Sequence, residues 1–389
     1  MFQRKLHLQL PKKQSAFLWG ARQTGKSTFL KSHFPHSLYY DFLQSDLYLA
    51  FLKEPHRLRE ELLEKSTSLL QYPVILDEVQ KIPLLLDEVH WLIENKKISF
   101  ILCGSSARKL KREKANLLGG RAWRYEMHPL SFSEIPEMDL LRALSQGLLP
   151  AHYSTDYPDR ALNAYVTDYL TEEIKAEGLS RNLAAFAKFL EAASFSHGQL
   201  VEYKNIASDS GVDAKTVKEY FEILKDTYIA SFLQPLHRKK DRKTISATSK
   251  FYFFDPGIAN FLSKTKLQQL KGPQAGISFE GYIFHELQTY RAYAEKNFEM
   301  HFWRTTAGHE VDFVLNEDEV YIETKISNNI KLSDLKGLQT LLGQTPAKKA
   351  FVVCLETRPR LITTPDGYKI HVLPWRDFLQ ALWGNSIIH

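Results

Sequence analysis

The fold is decided by the stretch Gly20-Ala21-Arg22-Gln23-Thr24-Gly25-Lys26-Ser27. It has the pattern G-x-x-x-x-G-K-[ST] of a phosphate-binding loop. The apolar run 16–19 that precedes it suits a buried strand, and the residues from Thr28 onward can open a helix. Glycines let the backbone turn tightly and approach a phosphate closely. The N–H groups at the start of the helix would then bind the phosphates of a nucleotide. We expect this nucleotide to be ATP.

A second segment carries the acidic groups that a bound nucleotide needs. The apolar run 74–76 ends in Asp77 and Glu78, as expected for a buried parallel strand whose carboxyl end holds a metal ion. Asp77 is predicted to bind Mg²⁺ together with Ser27, and Glu78 is predicted to be the general base for the attacking water. The residues predicted to bind ATP are Gly20, Ala21, Arg22, Gln23, Thr24, Gly25, Lys26, Ser27, Thr28, Asp77 and Ser105.

Polar residues after the next apolar run extend the predicted nucleotide site. The run 99–103 precedes Ser105, which is predicted to contact the γ-phosphate or the water, although a plain turn fits the same residues. Arg121 follows two glycines and is predicted to stabilise the charge of the transition state, a role often filled across a subunit interface. A homo-oligomer is therefore possible. Arg108 and Arg124 are alternatives for this role, and a solvated surface arginine is the other interpretation.

The composition is that of an ordinary globular protein with a mild excess of positive charge. Of 389 residues, 44% are hydrophobic and 25% are charged, and the net charge is +6. No run approaches the roughly 18 apolar residues of a membrane-spanning helix, and the segment 1–11 is too charged for a secretory signal. Cys103 and Cys354 lie in apolar runs, so we expect reduced core thiols and a cytoplasmic protein. The charge permits nucleic-acid binding without requiring it.

Three features together resemble a widespread prokaryotic family of AAA+-type ATPases. They are Asp77-Glu78-Val79-Gln80, the strand end Gly104-Ser105-Ser106-Ala107, and Gly120-Arg121 ahead of the segment 128–134. The resemblance covers nearly the whole chain and implies an α/β fold with three parts. These are a P-loop NTPase domain with an AAA+/ASCE-type parallel sheet, a winged helix, and an α/β domain similar to restriction endonucleases. The corresponding ranges are 1–135 for the ATPase core, 136–195 for a helical connector or lid, 196–260 for the winged helix-turn-helix and 261–389 for the endonuclease-like domain.

The segment 203–224 is typical of a helix–turn–helix. Gly211 stands at the turn, and Asp213 is expected to cap the second helix. In DNA-binding proteins the second helix of such a pair enters the major groove. Here the lysines of that helix are nearly balanced by its glutamates, so a module that only packs between domains remains an equal alternative.

The segment 229–254 predicts a β-hairpin with a strongly basic tip. Five of the seven residues 237–243 are arginine or lysine. Such a tip suits contacts to DNA phosphates that do not read the base sequence. DNA is therefore the predicted partner, through the winged helix and the basic wing 237–243, and a solvated loop is the alternative.

Residues 310–325 predict a hairpin that carries two carboxylates and a lysine. Strand alternation puts Glu323 and Lys325 on one face, where Asp312 of the partner strand can approach both. Asp312 and Glu323 are predicted to bind Mg²⁺ or Mn²⁺, and Glu280 of the preceding helix could complete the metal shell. Lys325 would orient the water or stabilise the transition state of phosphodiester hydrolysis. The pattern matches the D-x(n)-E-x-K signature of the restriction-endonuclease-like superfamily, and a nuclease-like fold used only for binding is the alternative.

Together these features predict an ATP-binding and ATP-hydrolysing protein that is associated with DNA. The first hypothesis is an ATP-dependent DNA-processing enzyme with a metal-dependent nuclease-like domain. The second is a nucleotide-dependent regulator or scaffold, which binds protein or nucleic acid and cleaves nothing. We expect no contact with a membrane.

Overall fold

The structure is a computed structural model that describes residues 2–108, 110, 118–170, 183–236 and 248–388. The predicted basic wing 237–243 lies outside the described residues. Within these ranges, no helix combines the length and the apolar character that crossing a lipid bilayer requires. Cys103 and Cys354 are buried free thiols, as expected from their apolar surroundings in the sequence.

The N-terminal third contains a five-stranded parallel sheet. Its strands are β1 (Ser15–Trp19), β2 (Tyr39–Asp41), β3 (Val74–Asp77), β4 (Phe100–Gly104) and β5 (Ala122–Glu126). Their order in the sheet is β2-β3-β4-β1-β5, and every pairing is parallel. All residues of β1, β3 and β4 are buried, which explains the continuous apolar sequence of these strands. Because the strands are parallel, the residues that follow β1, β3 and β4 meet at one edge of the sheet.

Four α-helices accompany this sheet in the described ranges, and a glycine shapes the entry to the first of them. The helices are α1 (Lys26–His33), α2 (Ser45–Lys53), α3 (Arg57–Leu63) and α4 (Leu85–Lys96). Gly20 leaves β1 with a φ of 151°, and a Cβ at this position would lie 2.3 Å from the carbonyl oxygen of Met127. No residue with a side chain fits there, so the loop requires glycine at its first position.

The middle of the chain is mainly helical and contains the predicted helix pair. The helices are α5 (Leu140–Gln146), α6 (Pro150–Ser154), α7 (Pro158–Ala164), α8 (Leu183–Ser194), α9 (Tyr203–Ser210), α10 (Ala214–Asp226) and α11 (Pro256–Leu262). Gly211 ends α9 in the left-handed conformation, with a φ of 70°. Asp213 caps α10 by accepting hydrogen bonds from the backbone N–H groups of Lys215 and Thr216. Helix α9 therefore ends, and α10 begins, where the turn and capping residues predict.

One nine-stranded sheet joins the middle of the chain to the C-terminal third. Its strands are β6 (Gln199–Leu200), β7 (Ala230–Pro235), β8 (Lys250–Phe253), β9 (Met300–Arg304), β10 (Glu310–Leu315), β11 (Val320–Thr324), β12 (Lys349–Cys354), β13 (Arg360–Thr363) and β14 (Lys369–Pro374). Their order is β13-β14-β12-β11-β10-β9-β7-β8-β6. The junction is a parallel pairing of β7 with β9, in which Gln234 lies opposite His301. The sheet thus continues across the boundary predicted at 260/261, because β9 covers the edge that β7 would otherwise expose.

The C-terminal third is built around a long buried helix. Its helices are α12 (Pro273–Tyr293), α13 (Lys336–Gln344) and α14 (Trp375–Trp383). Helix α12 shares one hydrophobic core with the sheet, with α14 and with the connector, as the buried residues Tyr282, Phe313, Phe378 and Leu144 illustrate. The connector and the C-terminal third are therefore packed as one body, although they are far apart in the sequence.

Candidate nucleotide site and acidic pocket

The loop between β1 and α1 is held in shape by hydrogen bonds to its own carbonyl groups. Lys26 Nζ donates to the carbonyl oxygens of Gly20 and Ala21 at 2.8 and 2.9 Å. The hydroxyl of Thr24 donates to the same Ala21 oxygen at 2.8 Å. Gly25 precedes α1 and offers no side chain as a cap. The first N–H groups of α1 can therefore bind an anion, and the buried ammonium of Lys26 adds positive charge beside them.

The predicted Mg²⁺ ligands Ser27 and Asp77 are in contact. Ser27 Oγ donates to Asp77 Oδ2 at 2.6 Å, and the hydroxyl of Tyr39 donates to the same oxygen at 2.5 Å. Burial, reinforced by the Asp77 carboxylate, raises the pKa of Tyr39, so this phenol stays protonated and acts as a donor. A hydroxyl and a carboxylate are the hard oxygen ligands that Mg²⁺ prefers, and the partners of Asp77 are neutral. These residues therefore fit a Mg²⁺ ion brought by a nucleotide.

The predicted general base Glu78 is buried and is held by Gln80, which was not among the predicted site residues. Gln80 Nε2 donates to Glu78 Oε2 at 2.5 Å and to the hydroxyl of Ser105 at 3.2 Å. Burial raises the pKa of Glu78, while Lys26 opposes this shift. A Cβ on Gly104 would lie 2.2 Å from Gln80 Oε1, so glycine at the end of β4 leaves the space that Gln80 fills. Gln80 thus connects the ends of β3 and β4 in front of the phosphate loop.

The remaining predicted contacts of the loop lie nearer to solvent. Gln23 and Thr28 are exposed, and Arg22 is half-buried. Arg22 still contributes to the electrostatics of the site, because its positive charge lowers the pKa of Glu78. These three side chains lie on the outer side of the loop, whereas the side chain of Lys26 is buried inside it.

The structure corrects the prediction for Arg121 within a single chain. Ala122 lies opposite Ser15, and Glu126 lies opposite Trp19, so β5 runs in the same direction as β1. Arg121 therefore stands at the far edge of the sheet, separated from the phosphate loop by the length of β5, roughly 16 Å. Its guanidinium forms an ion pair with Glu94 at the surface. It does not reach the nucleotide site of its own chain, and a contact with a neighbouring copy stays a prediction.

The predicted hairpin brings Asp312, Glu323 and Lys325 together. Phe313 lies opposite Ile322 in the antiparallel pairing of β10 with β11, so Asp312 and Glu323 are neighbours on one face. Lys325 Nζ lies 2.5 Å from Glu323 Oε1. Asp312 Oδ2 accepts hydrogen bonds of 2.7 Å from both the N–H and the hydroxyl of Thr324. The alternation of the strand sequence thus predicted the shared face correctly.

A buried lysine that was not predicted as a site residue lies among carboxylates, and we call Lys250 with Glu280, Glu310 and Asp312 the acidic pocket. Lys250 Nζ, from β8, lies 2.7 Å from Glu280 Oε1 and 3.9 Å from Asp312 Oδ1, and it also forms an ion pair with Glu310. The hydroxyl of Tyr252 donates to Glu280 Oε1 at 2.6 Å. A lysine in the middle of the chain gives no sequence signal for this contact, which arises because β8 joins the C-terminal sheet.

The predicted metal ligands Glu280, Asp312 and Glu323 do not form a metal centre as they stand. Among the described residues, no three or more histidine, cysteine, aspartate or glutamate side chains are grouped to hold a metal ion. Glu280 is instead bound to Lys250, and metal binding by Asp312 and Glu323 stays a prediction. Burial and the Asp312 charge raise the pKa of Glu323 to about 8 against the opposing effect of Lys325, and burial raises that of Glu280 to about 7.

Comparison with known protein families divides the chain into three parts. Residues 12–136 match a family described as an AAA domain. This match indicates an AAA-type P-loop ATPase domain in this part of the chain. Residues 137–269 and 275–378 match two families that are each described as a domain of unknown function, DUF8612 and DUF4143. No curated protein matches the chain.

The AAA domain touches the helix pair of the middle region next to its nucleotide site. After Ser105 at the end of β4, the N–H of Ala107 donates to the carbonyl oxygen of Asp226, the last residue of α10, at 3.4 Å. Arg108 Nη1 lies 3.5 Å from the carboxylate of the same Asp226. The segment that follows Ser105 is therefore fastened directly to the end of α10.

Arg4 connects the phosphate loop of the AAA domain to the C-terminal third. Its guanidinium donates to the carbonyl oxygen of Thr24 in the loop, to Glu134 at 3.0 Å and to the hydroxyl of Tyr293 at 2.9 Å. Tyr293 is the last residue of α12. A cavity of about 460 Å³ lies nearby, lined by Gly20 and by residues of all three parts of the chain. The nucleotide site and α12 are thus linked through one buried arginine.

Proposed function

We propose that the chain is a Mg²⁺-dependent ATPase that works in association with DNA. The contact of 2.6 Å between the Ser27 hydroxyl and Asp77 carries the ATPase part of this proposal. These two residues would hold Mg²⁺, which when bound neutralises charge on the β- and γ-phosphates. The match of residues 12–136 to an AAA domain supports the same activity.

In this proposal the residues around the loop have separate tasks. Lys26 exchanges its two carbonyl partners for phosphate oxygens. Glu78 accepts the proton of the attacking water, and its raised pKa makes it a stronger base than an exposed carboxylate. Gln80 holds Glu78 beside Ser105, so it acts as a positioning residue.

Measurement of phosphate release from ATP, together with ATP binding, tests the ATPase proposal. We expect Lys26→Ala to lose binding of ATP and Glu78→Gln to retain binding while hydrolysis falls by about a hundredfold or more. Lys53→Ala, at the exposed end of α2, is the matched control. Equal hydrolysis by wild type and Glu78→Gln would remove Glu78 from the mechanism, and unchanged ATP binding by Lys26→Ala would remove the site itself.

The DNA part of the proposal rests on the helix pair and on the basic sequence that follows it. Helix α10 is exposed at Lys215 and Lys218, on the side opposite its buried residues. We propose that α9, α10, β7 and β8 are a winged helix and that the wing 237–243 contacts DNA phosphates. The contacts of Asp226, at the end of α10, with Ala107 and Arg108 would then couple DNA binding to the nucleotide state.

Fluorescence anisotropy with a labelled duplex at several salt concentrations tests DNA binding. Replacement of the five basic residues of 237–243 by glutamine should weaken binding and reduce its salt dependence. Lys215→Gln with Lys218→Gln tests α10 separately. If neither variant changes the affinity, the helix pair is a packing module and the DNA proposal fails.

The C-terminal third has two candidate functions. The convergence of Asp312, Glu323 and Lys325 favours metal-dependent cleavage of nucleic acid. The ion pairs of Lys250 favour the alternative, a nuclease-like domain that serves a nucleotide-dependent regulator or scaffold without cleavage. Incubation of wild type, Glu323→Ala and Lys325→Ala with DNA and RNA in Mg²⁺ or Mn²⁺ distinguishes them. Cleavage that both substitutions abolish supports the nuclease, and no cleavage by the wild type supports the regulator.

Arg121 is the candidate for a contact between copies of the chain. Its surface position would allow it to reach the nucleotide of a neighbour in a homo-oligomer. Arg121→Ala should then lower hydrolysis only at protein concentrations at which sedimentation detects an oligomer. An equal effect on the monomer would contradict this assignment.

A further inference from the structure

The acidic pocket contains an ammonium group supplied by another part of the chain. Lys250 Nζ lies 2.7 Å from Glu280 Oε1 and 3.9 Å from Asp312 Oδ1, and it forms an ion pair with Glu310. Only 2% of its side-chain surface is exposed, so carboxylates have replaced water around the charge. A buried charge is stable only with such partners.

Most of the other polar groups around Lys250 also have ion-pair or hydrogen-bond partners. Arg304 Nη1 lies 3.2 Å from Glu310 Oε2, and Thr324 donates twice to Asp312 Oδ2. Glu323 Oε1 is paired with Lys325, whereas Glu323 Oε2 is buried and has no hydrogen-bond partner among the residues that the structure describes. Glu323 Oε2 is therefore still available to a cation, whereas both oxygens of Glu310 and Oε1 of Glu280 already face a cationic side chain.

Lys250 is fixed by the backbone as well as by its ion pairs. It is the first residue of β8, where it lies opposite Leu200 of β6 and Leu233 of β7. This pairing holds the backbone of Lys250 on both sides of β8. Withdrawal of the side chain alone would leave the buried carboxylates without their cation.

A divalent cation among these carboxylates would lie a few ångströms from a buried positive charge. Repulsion between like charges is strong where water is excluded. The oxygens of Glu280 and Glu310 would also have to serve two cations at once, although a divalent ion needs several of them to itself.

We propose that Lys250 takes the place of a divalent cation in this pocket. The nucleotide-free protein then binds neither Mg²⁺ nor Mn²⁺ between Glu280, Glu310 and Asp312. Removal of the ammonium turns these carboxylates into a cation site. The inference is independent of ATP hydrolysis, because all of the residues concerned lie outside the AAA domain.

Titration of the full-length, nucleotide-free protein with Mn²⁺, followed by electron paramagnetic resonance, tests this inference. Wild type and Asp312→Asn should bind Mn²⁺ equally, because any weak binding near Asp77 is common to both. Lys250→Met, which keeps the volume of the side chain but not its charge, should gain one Mn²⁺ with at least about tenfold tighter binding. The double variant Lys250→Met with Asp312→Asn should lose that ion.

Two results would overturn the inference. One is Mn²⁺ binding by the wild type that Asp312→Asn removes, because the pocket would then hold a metal beside Lys250. The other is a folded Lys250→Met protein, judged by circular dichroism, that binds no more Mn²⁺ than the wild type. If Lys250→Met is unfolded without metal, Mn²⁺ should refold it, and failure to refold at millimolar Mn²⁺ counts against the inference.

Discussion

The nucleotide site and the acidic pocket both place carboxylates beside a lysine, but the partners of the carboxylates differ. Asp77 accepts hydrogen bonds from the hydroxyl groups of Ser27 and Tyr39, and Lys26 is turned to backbone carbonyls. In the acidic pocket, Glu280 is bound directly by the ammonium of Lys250. Neutral donors leave a carboxylate with its full charge, whereas an ammonium neutralises it. The same residue types therefore make one site that can receive a cation and one that already contains one.

The largest expected effect is a loss of protein stability when the ammonium of the acidic pocket is removed. Lys250→Met leaves buried carboxylates without their cation, so it should lower the free energy of unfolding by about 3–5 kcal/mol. Lys325→Met removes an ammonium whose side chain is 35% exposed, and it should cost less than about 1 kcal/mol. Chemical denaturation at pH 7 measures both. Equal losses would mean that Lys250 is no more than an ordinary surface partner.

A third carboxylate, Glu286 of α12, sharpens the comparison because it is buried with neutral donors and forms no ion pair within the described part of the chain. It accepts hydrogen bonds from the N–H of Phe132 at 2.7 Å and from the indole of Trp383 at 2.9 Å. Burial raises the pKa of Glu286 to about 7, and these hydrogen bonds oppose the shift. The folded protein therefore binds this proton more tightly than the unfolded chain does.

Because the folded protein holds this proton more tightly, its stability falls as the pH rises and Glu286 loses the proton. The contribution of Glu286 to stability is largest below the unfolded pKa near 4.5 and falls as the pH rises to about 7. Between these values wild type should lose roughly 3 kcal/mol relative to Glu286→Gln. Denaturation of both proteins across this range measures the loss. Parallel pH profiles would show that Glu286 does not titrate there.

Removal of one carboxylate from each region separates their roles in hydrolysis. Asp77→Asn should reduce Mg²⁺-dependent ATP hydrolysis by about a hundredfold or more, because the cation loses its charged ligand. Asp312→Asn should leave the rate unchanged, since that carboxylate lies outside the AAA domain. Steady-state phosphate release gives both values. Similar losses in the two variants would show that the acidic pocket takes part in ATP hydrolysis.

The smallest effect concerns the neutral donor Tyr39. Tyr39→Phe removes the hydroxyl that orients Asp77 and should raise the Mg²⁺ concentration for half-maximal hydrolysis by about tenfold. Tyr40→Phe is the matched control in the same strand, because its hydroxyl lies 3.4 Å from Glu61, away from Asp77. Magnesium titrations at saturating ATP measure the shift. If both variants respond alike, Tyr39 has no special part in the site.

Local sequence pattern predicted the elements that depend on neighbouring residues. The apolar runs predicted the buried strands β1, β3 and β4, and the loop pattern predicted the start of α1. Asp213 predicted the start of α10 through its capping hydrogen bonds. Strand alternation predicted that Glu323 and Lys325 share a face. Each of these depends on backbone geometry over a few residues, which the sequence alone determines.

Contacts between distant segments were decided only by the tertiary structure. The direction of β5 moved Arg121 to the far edge of its sheet, and the pairing of β7 with β9 carried Lys250 into the acidic pocket. Tyr39 reaches Asp77, and Gln80 reaches Ser105, because β3 pairs in parallel with both β2 and β4. The sequence determined which residues can bind phosphate or a metal ion. The packing of the strands determined which charges neutralise each other, because electrostatic partners are chosen by distance in space and not along the chain.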